Sequence, residues 1–162
     1  MDRLLKKKLK FKSNWQPFVL IIATILSLKT ILLLPTIAEA LPLKQQITEM
    51  VVRQANAWEK QDIEAIANDF AENAVFIAAG FKFEGKERIK QAARDYFAGF
   101  DDTAVNIERI IVDGNMGAVE WDWRDRNRKT GQKSFAEDAI IFELENGKII
   151  YWREYIEKKR QP

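Results

Sequence analysis

The sequence predicts an α+β domain in which a curved antiparallel sheet wraps around three helices. Apolar residues recur at helical spacing between residues 47 and 100, whereas apolar and polar residues alternate over most of residues 103–158. Three dipeptides typical of turns divide this second part into four long strands: Asp113-Gly114, Thr130-Gly131 and Asn146-Gly147. Because long antiparallel strands curl to bury one face, helices must cover that face.

The first two helices are indicated by residues before position 71. Ile47, Val51, Ala55 and Trp58 lie on one face of a first helix. Asp62 is suited to cap a second helix, because its carboxylate can accept a hydrogen bond from a free backbone N–H group of the first turn. The residues of this second helix that we expect to point inward are Ile63, Ile66 and Phe70.

Two short strands and a third helix follow. The stretch AVFIAAGFKFEG is apolar, rich in strand formers and interrupted by Gly80 and Gly85. The stretch KERIKQAARDYFAGF has helical spacing, and its buried face is expected to carry Ile89, Ala93, either Tyr96 or Phe97, and Phe100. The four long strands expected after it are TAVNIERIIVDG, GAVEWDWRDRNRK, KSFAEDAIIFELENG and KIIYWREYIEKK.

Residues 1–40 have the three parts of a secretory signal peptide. MDRLLKKKLKFK is strongly basic, residues 18–28 form an apolar run, and Ala38-Glu39-Ala40 is an A-x-A end. We predict cleavage between Ala40 and Leu41, which leaves a single domain of residues 41–162. An uncleaved membrane anchor is the alternative, because residues 31–34 could lengthen the apolar segment. Either interpretation places the domain outside the cytoplasm, in the periplasm or as a secreted protein.

The charge of the chain is unevenly distributed. Residues 1–40 hold seven of the 26 Lys and Arg residues and two of the 24 Asp and Glu residues, so residues 41–162 have a net charge of −3 although the whole chain has +2. The basic character therefore belongs to the predicted targeting segment, and we expect no nucleic-acid partner.

The sequence contains no Cys and no His. This excludes thiol nucleophiles, Ser-His-Asp triads, histidine bases and the usual zinc sites. Ser134 is the only serine of residues 41–162, and the sequence has no Gly-rich phosphate loop. We therefore predict no metal and no cofactor, and any acid–base chemistry must use Asp, Glu, Tyr or Lys.

Four motifs, in this order, resemble the nuclear-transport-factor-2-like (NTF2-like) superfamily, and within it SnoaL-like proteins. They are AWEKQDIEAIANDFAENAVF, FEGKERIKQAARDYF, DGNMGAVEW and NGKIIYWREYIE, and the resemblance covers nearly all of residues 47–157. It implies a cone-shaped fold with a pocket inside the cone. The superfamily includes ketosteroid isomerases, polyketide cyclases, epoxide hydrolases, non-enzymatic binders and assembly domains, so the resemblance does not decide the function.

The similarity to ketosteroid isomerases implies one catalytic residue. In those enzymes a protonated Asp donor stands four residues before a Phe near the last hairpin, and the stretch DAIIF gives Asp138 this position. The position of their Asp base holds Ala78, and that of their Tyr donor holds Gln54. We therefore expect no ketosteroid isomerisation by the mechanism of that family.

The similarity to the epoxide hydrolases implies a second acid. Their final WRDY motif corresponds to WREY, which gives Glu154 the position of a catalytic Asp. Their Arg–Asp pair aligns with Trp121 and Trp123 or, shifted by one residue, with Glu120 and Asp122. Neither alignment supplies the Arg, so this catalytic set is also incomplete.

The period of two divides the side chains of the last strands between two faces. If Asp138 points into the cone, Ile140 and Phe142 do too, and the resemblance places Glu154 beside them. We predict Asp138 and Glu154 as catalytic candidates, with burial and like charge raising the pKa of at least one of them. The predicted ligand-binding residues are Trp121, Trp123, Trp152, Phe142, Ile140, Phe76, Gln54 and Trp58.

Each assignment has a structural alternative. A protein group could satisfy either acid by a hydrogen bond or an ion pair, and the candidates are Gln54, Asn56, Tyr96 and Arg109. The tryptophans could be core residues that contact no ligand. The charged stretch RDRNRK is interpreted as a solvated hairpin tip.

Three functions are compatible with the sequence. The first, slightly favoured because no complete catalytic set is present, is an exported module that binds an apolar or amphipathic small molecule. The second is an acid–base enzyme of isomerase, cyclase or hydrolase type, with Asp138 as the acid and Glu154 as the base. The third is an assembly domain, because Tyr151 and Tyr155 are expected on the outer face of the sheet, where we predict a homodimer contact.

Overall fold

The computed structural model describes residues 42–159, and the predicted signal segment, residues 1–40, lies outside them. The helices are α1 (Leu43–Glu59), α2 (Ile63–Asn68) and α3 (Lys86–Gly99). The strands are β1 (Phe70–Ala78), β2 (Phe81–Glu84), β3 (Phe100–Asp113), β4 (Met116–Asn127), β5 (Lys133–Glu145) and β6 (Lys148–Lys158). Within the described residues, no helix has the length and hydropathy needed to cross a membrane.

The six strands form one curved, open sheet in the order β2-β1-β6-β5-β4-β3. Strands β3 to β6 form the antiparallel meander that the turn dipeptides predict. Asn146 and Gly147, for example, have φ values of 51° and 74°, which are typical of a tight hairpin turn. Strands β1 and β6 pair in parallel, since the chain between them crosses the whole sheet rather than forming a hairpin. The predicted α+β class is confirmed.

The caps and buried faces of the helices follow from local sequence. The carboxylate of Asp62 accepts a hydrogen bond from the backbone N–H of Ala65 at 2.9 Å, which begins α2 as predicted. Helix α3 buries Ile89, Ala93 and Phe97, so Phe97 rather than Tyr96 is its main core aromatic residue.

Two helix boundaries differ from the prediction. Phe70 and Phe100, which we expected on the buried faces of helices, instead begin β1 and β3. Phe70 is paired with Ile149 of β6, and Phe100 with Asn127 of β4. An aromatic residue at a helix end fits either period, so only the pairing with another strand decides its state.

The core lies between the helices and the inner face of the sheet. Trp121, Phe142 and Trp152, on three neighbouring strands, are each at most 1% exposed. The helices cover them with residues such as Ile47 of α1. Gly117 is needed in β4, because a Cβ atom there would overlap the ring of Phe142.

Candidate functional site

A cavity of about 710 Å³ lies between the sheet and the helices α1 and α3. Seven aromatic residues line it: Trp58, Phe76, Phe81, Phe83, Tyr96, Trp123 and Phe135. Asp125, Asp138 and Glu154 contribute three carboxyl groups to the same lining. Sites for small molecules have about this volume and this combination of apolar surface with few polar groups.

Asp138 lies in β5 between Trp121 of β4 and Ile156 of β6. The residue is 6% exposed, and its Oδ1 atom has no hydrogen-bond partner within residues 42–159. Removal from water raises the pKa of Asp138 to about 6; the nearby Trp121 indole opposes this rise, and the charge of Asp122 adds to it. The Trp121 Nε1 atom does not reach hydrogen-bonding geometry with any described group, so Asp138 keeps an unused acceptor.

Glu154 lies in β6 and is partly buried. Its Oε1 atom accepts a hydrogen bond of 3.0 Å from the indole N–H of Trp152. Burial raises the pKa of Glu154 to about 8; the Trp152 hydrogen bond opposes the rise, and the charge of Asp138 adds to it. The expectation that at least one of the two acids has a raised pKa therefore agrees with the structure.

The two acids are diagonal neighbours on adjacent strands, since Asp138 is paired with Ile156 and Glu154 with Ile140. The pKa of Glu154 is raised further than that of Asp138, so Glu154 is the better proton donor of the pair and Asp138 the better acceptor. Such a pair can donate one proton and accept another, which is what acid–base chemistry requires. The order is the reverse of the expected one, because the charge of Asp138 adds to the effect of desolvation on the pKa of Glu154.

Asp125 is a third acid of the cavity, which the sequence analysis missed. It is 8% exposed, and its Oδ2 atom accepts hydrogen bonds from the Tyr96 hydroxyl at 2.7 Å and the Trp123 indole at 3.3 Å. The Ser134 hydroxyl donates to its Oδ1 atom. The interpretation of RDRNRK as a solvated tip is therefore wrong for Asp125. The period of two would have found it, because Asp125 follows Trp123 by two residues.

Two cations of the same hairpin, Arg126 and Arg128, also have partners within the fold. Arg126 forms ion pairs with Asp102 at 2.7 Å and with Asp101 at 3.0 Å. Arg128 donates to the backbone oxygen of Phe97 at 2.9 Å and pairs with Asp101 at 3.1 Å. These contacts join the hairpin to the end of α3 and hold Asp125 and Ser134 at the cavity.

The predicted ligand-binding aromatic and aliphatic residues divide into two groups. Trp58, Phe76 and Trp123 line the cavity. Four others are at most 1% exposed and belong to the core outside this lining: Trp121, Trp152, Phe142 and Ile140. The period of two assigns a residue to a face of the sheet, but only the position of the helices decides which part of that face is filled.

Gln54 does not line the cavity, which corrects its prediction as a ligand contact. The residue is fully buried, and its amide donates to the backbone oxygen of Ile66 at 2.9 Å and to Asp69 at 3.1 Å. Arg53 pairs with the other oxygen of Asp69 at 2.9 Å. A buried amide needs protein partners, and here they tie α1 to α2 and to the start of β1.

Lysines mark the more exposed side of the cavity. Lys133, Lys158 and Lys159 contribute to its lining, and Lys159 pairs with Glu137 at 2.9 Å and with Glu157 at 2.8 Å. Within residues 42–159, no three Asp or Glu side chains are placed so that they could hold a metal ion.

Comparison with known sequences assigns the chain to a protein family. Residues 51–152 match the SnoaL-like domain family, which is more than half of the sequence. The chain belongs to this family. The matched segment of the SnoaL-like domain includes Asp138 and ends two residues before Glu154. No curated protein matches the sequence.

Solved structures of the same fold include proteins of different description. A protein with a ketosteroid isomerase-like fold from Catenulispora acidiphila, solved in complex with trimethylamine, has a TM-score of 0.63 at 19% identity, over 66% of this chain and 84% of its own. An epoxide hydrolase of M. tuberculosis has a TM-score of 0.62 at 21% identity, over 70% and 84%. An NTF2-like protein of Exiguobacterium sp. has a TM-score of 0.60 at 18% identity, over 67% and 98%. These similarities establish the NTF2-like fold.

Proposed function

We propose that this SnoaL-like domain binds an apolar or amphipathic small molecule in the aromatic cavity. The observation that carries the proposal is a cavity of about 710 Å³ that combines aromatic lining with an unpartnered, buried oxygen of Asp138. Aromatic rings supply apolar contact area, and the few polar groups orient the ligand. An unpartnered carboxyl oxygen is costly in the empty protein, so a ligand that contacts it gains affinity.

The test is native mass spectrometry of the protein purified from its own host without denaturation. We expect a bound small molecule, and we expect Ala92→Trp to exclude it, because Ala92 of α3 lines the cavity and an indole there occupies ligand space. Ala98→Trp is the matched control, since Ala98 is exposed on the same helix and outside the cavity lining. Equal ligand occupancy in both variants, with both folded by circular dichroism, would show that the ligand binds elsewhere.

Acid–base catalysis is a second candidate, which the two raised pKa values favour. In this reaction Glu154 would donate a proton and Asp138 would accept one. For a substrate that is converted, kcat/KM should have a bell-shaped pH profile with limbs near pH 6 and pH 8. Glu154→Gln should abolish turnover while the protein still binds the substrate. Unchanged turnover in this variant rules out the catalytic role of Glu154.

Export and dimerisation complete the proposal. Cleavage after Ala40 would be seen as a mature chain that begins at Leu41. The outer sheet face has exposed large hydrophobic residues that suit contact with a second copy, among them Ile111, Ile141 and Tyr155 at 56%, 42% and 49% exposure. We expect a dimer in analytical ultracentrifugation that Ile141→Asp converts to a monomer. A wild-type monomer at micromolar concentration would remove this part of the proposal.

A further inference from the structure

Apart from the amide of the exposed Gln132, the neutral side-chain hydrogen-bond donors in and next to the cavity lining are already used within the protein. The hydroxyl groups of Tyr96 and Ser134 both donate to Asp125, and the indole N–H of Trp123 donates to the Tyr96 oxygen at 2.9 Å. The indole N–H of Trp152 donates to Glu154. Away from Gln132 and the lysines at its exposed side, the cavity therefore has few free donors for a ligand that needs them.

The hydrogen-bond acceptors of the cavity have fewer partners within the protein. Asp138 Oδ1 is buried and unpartnered. Among residues 42–159, no Lys or Arg forms an ion pair with Asp125, Asp138 or Glu154. Carboxyl groups removed from water without a counter-charge are costly for the fold. A positive charge brought by a ligand would compensate this cost.

The aromatic lining suits the same kind of ligand. Trp58 and Trp123 lie with ring centroids 5.6 Å apart, and Tyr96 is 5.9 Å from Trp58 and 5.8 Å from Trp123. Phe76 extends this surface, with its ring centroid 6.5 Å from that of Trp58. Electron-rich ring faces attract organic cations, and tryptophan does so most strongly. The cavity thus combines carboxyl groups and aromatic rings, the two partners that an alkylammonium group prefers.

We propose that the ligand is an organic cation with a single positive charge, either a protonated amine or a quaternary ammonium ion that carries apolar groups. Its charged end lies against Asp138 and Glu154, and its apolar groups contact Trp58 and Trp123. A single charge fits because the raised pKa of Glu154 favours its protonated form near neutral pH, so that the pair carries about one net negative charge. This inference rests on the proposed binding function and names the class of ligand.

The other charged groups near the pair do not reverse this preference. Asp122, on the outer face of β4, and Asp125 both add negative potential. Helices α1 and α3 contribute Trp58, Ala92 and Tyr96 to the lining, and none of these is a cation. The lysines of the exposed side oppose a cation, but water screens their charges; they are Lys133, Lys158 and Lys159, the last already paired with Glu137 and Glu157.

Isothermal titration calorimetry with two probes tests the charge requirement. Choline is the cation, and 3,3-dimethylbutan-1-ol is its uncharged carbon isostere. At pH 7.5 we expect choline to bind at least about tenfold more tightly than the alcohol. Between pH 7.5 and pH 5 its affinity should fall by about tenfold or more, because Asp138 becomes protonated and the pair loses its net charge.

Variants separate the acid pair from the general charge of the domain. Asp138→Asn should reduce choline affinity about tenfold or more and leave the affinity for the alcohol within about twofold. Glu120→Gln, on the exposed outer face of the same sheet, is the control and should change neither affinity. Circular dichroism at pH 5 and pH 7.5 establishes that each protein is folded.

Three results would overturn the cation proposal: no choline binding at millimolar concentration, equal or tighter binding of the alcohol, or choline binding that depends neither on pH nor on Asp138. The proposed function is judged separately by Ala92→Trp. If the alcohol binds and Ala92→Trp excludes it, the cavity binds neutral ligands and only the cation proposal is wrong. If Ala92→Trp leaves all ligand binding unchanged, both proposals are wrong.

Discussion

Asp69 and Asp138 are both buried aspartates, 8% and 6% exposed, but their contacts differ. Asp69 receives hydrogen bonds from Arg53 and Gln54, which use both of its oxygen atoms. Asp138 keeps an unpartnered oxygen and has a raised pKa. A buried carboxylate with a cation and an amide as partners contributes to the fold, whereas one without them is a cost that a ligand can offset. The comparison therefore separates a structural acid from an acid available for binding.

The largest effect is expected at Glu154, the neighbour of Asp138, in the pH dependence of stability. Because the pKa of Glu154 is raised to about 8 in the folded protein, the folded chain binds more protons than the unfolded chain between about pH 4.5 and pH 8. The free energy of unfolding should therefore fall as pH rises through this range, by on the order of 4 kcal/mol.

Glu154→Gln should remove most of this pH dependence, and at pH 8 the variant should be more stable than the wild type. Urea denaturation at pH 5, 6.5 and 8 measures the effect. Glu157→Gln, on the exposed face of the same strand, is the control and should stay within about 0.5 kcal/mol of the wild type. A wild-type stability that does not change from pH 5 to pH 8 would mean that Glu154 ionises normally.

A medium effect is expected when the same substitution is made at the two aspartates. Asp69→Asn should lower the free energy of unfolding at pH 7 by about 2–3 kcal/mol, because it removes the charge that pairs with Arg53. Asp138→Asn should leave stability unchanged or raise it, because no cation is lost and the cost of the buried charge disappears. Equal destabilisation by both changes would show that Asp138 is a structural acid like Asp69.

The smallest effect is expected at Asp125. Its hydrogen-bond partners are neutral, so it is intermediate between Asp69, which pairs with a cation, and Asp138, which has an oxygen without a partner. Tyr96→Phe removes a hydrogen bond to Asp125 and one from Trp123, and should lower the free energy of unfolding by about 1 kcal/mol. Tyr155→Phe is the matched control on the exposed outer face and should have no measurable effect. If both variants are equally stable in urea, the hydroxyl of Tyr96 does not contribute to holding Asp125.

Much of the fold could be predicted from residues that are near one another in the sequence. The helical spacing of Ile89 and Ala93, the cap at Asp62 and the alternation around Asp138 each depend on residues near one another in the chain. The resemblance to ketosteroid isomerases, together with this alternation, indicated an inward position for Asp138, which is 6% exposed in the structure. Asp125 could also have been assigned to the inner face in this way, because it lies two residues after Trp123. It was not, because it stands within the charged stretch RDRNRK, which was interpreted as solvated.

The residues that line the cavity were harder to predict from the sequence. Gln54 was expected in the cavity because it holds the position of the Tyr donor of ketosteroid isomerases, and Trp121 because it was assigned to the inner face of the sheet. Gln54 instead contacts Asp69, fifteen residues later in the chain, and Trp121 belongs to the filled part of the core. The spacing of residues along a helix or strand indicates in which direction a side chain points. The residues that it contacts there belong to another helix or strand, which the spacing does not identify.

The sequence by itself determined the class of fold, the faces of the strands and the restriction of any acid–base chemistry to residues other than Cys and His. These properties follow from composition and from the two periods of secondary structure, which are local. Only the tertiary structure decided which inward residues border an open cavity, which acids have raised pKa values, and which acids have partners. The reason is physical: desolvation and hydrogen bonding depend on what distant segments place around a group, and that is fixed only when helices and sheet pack together.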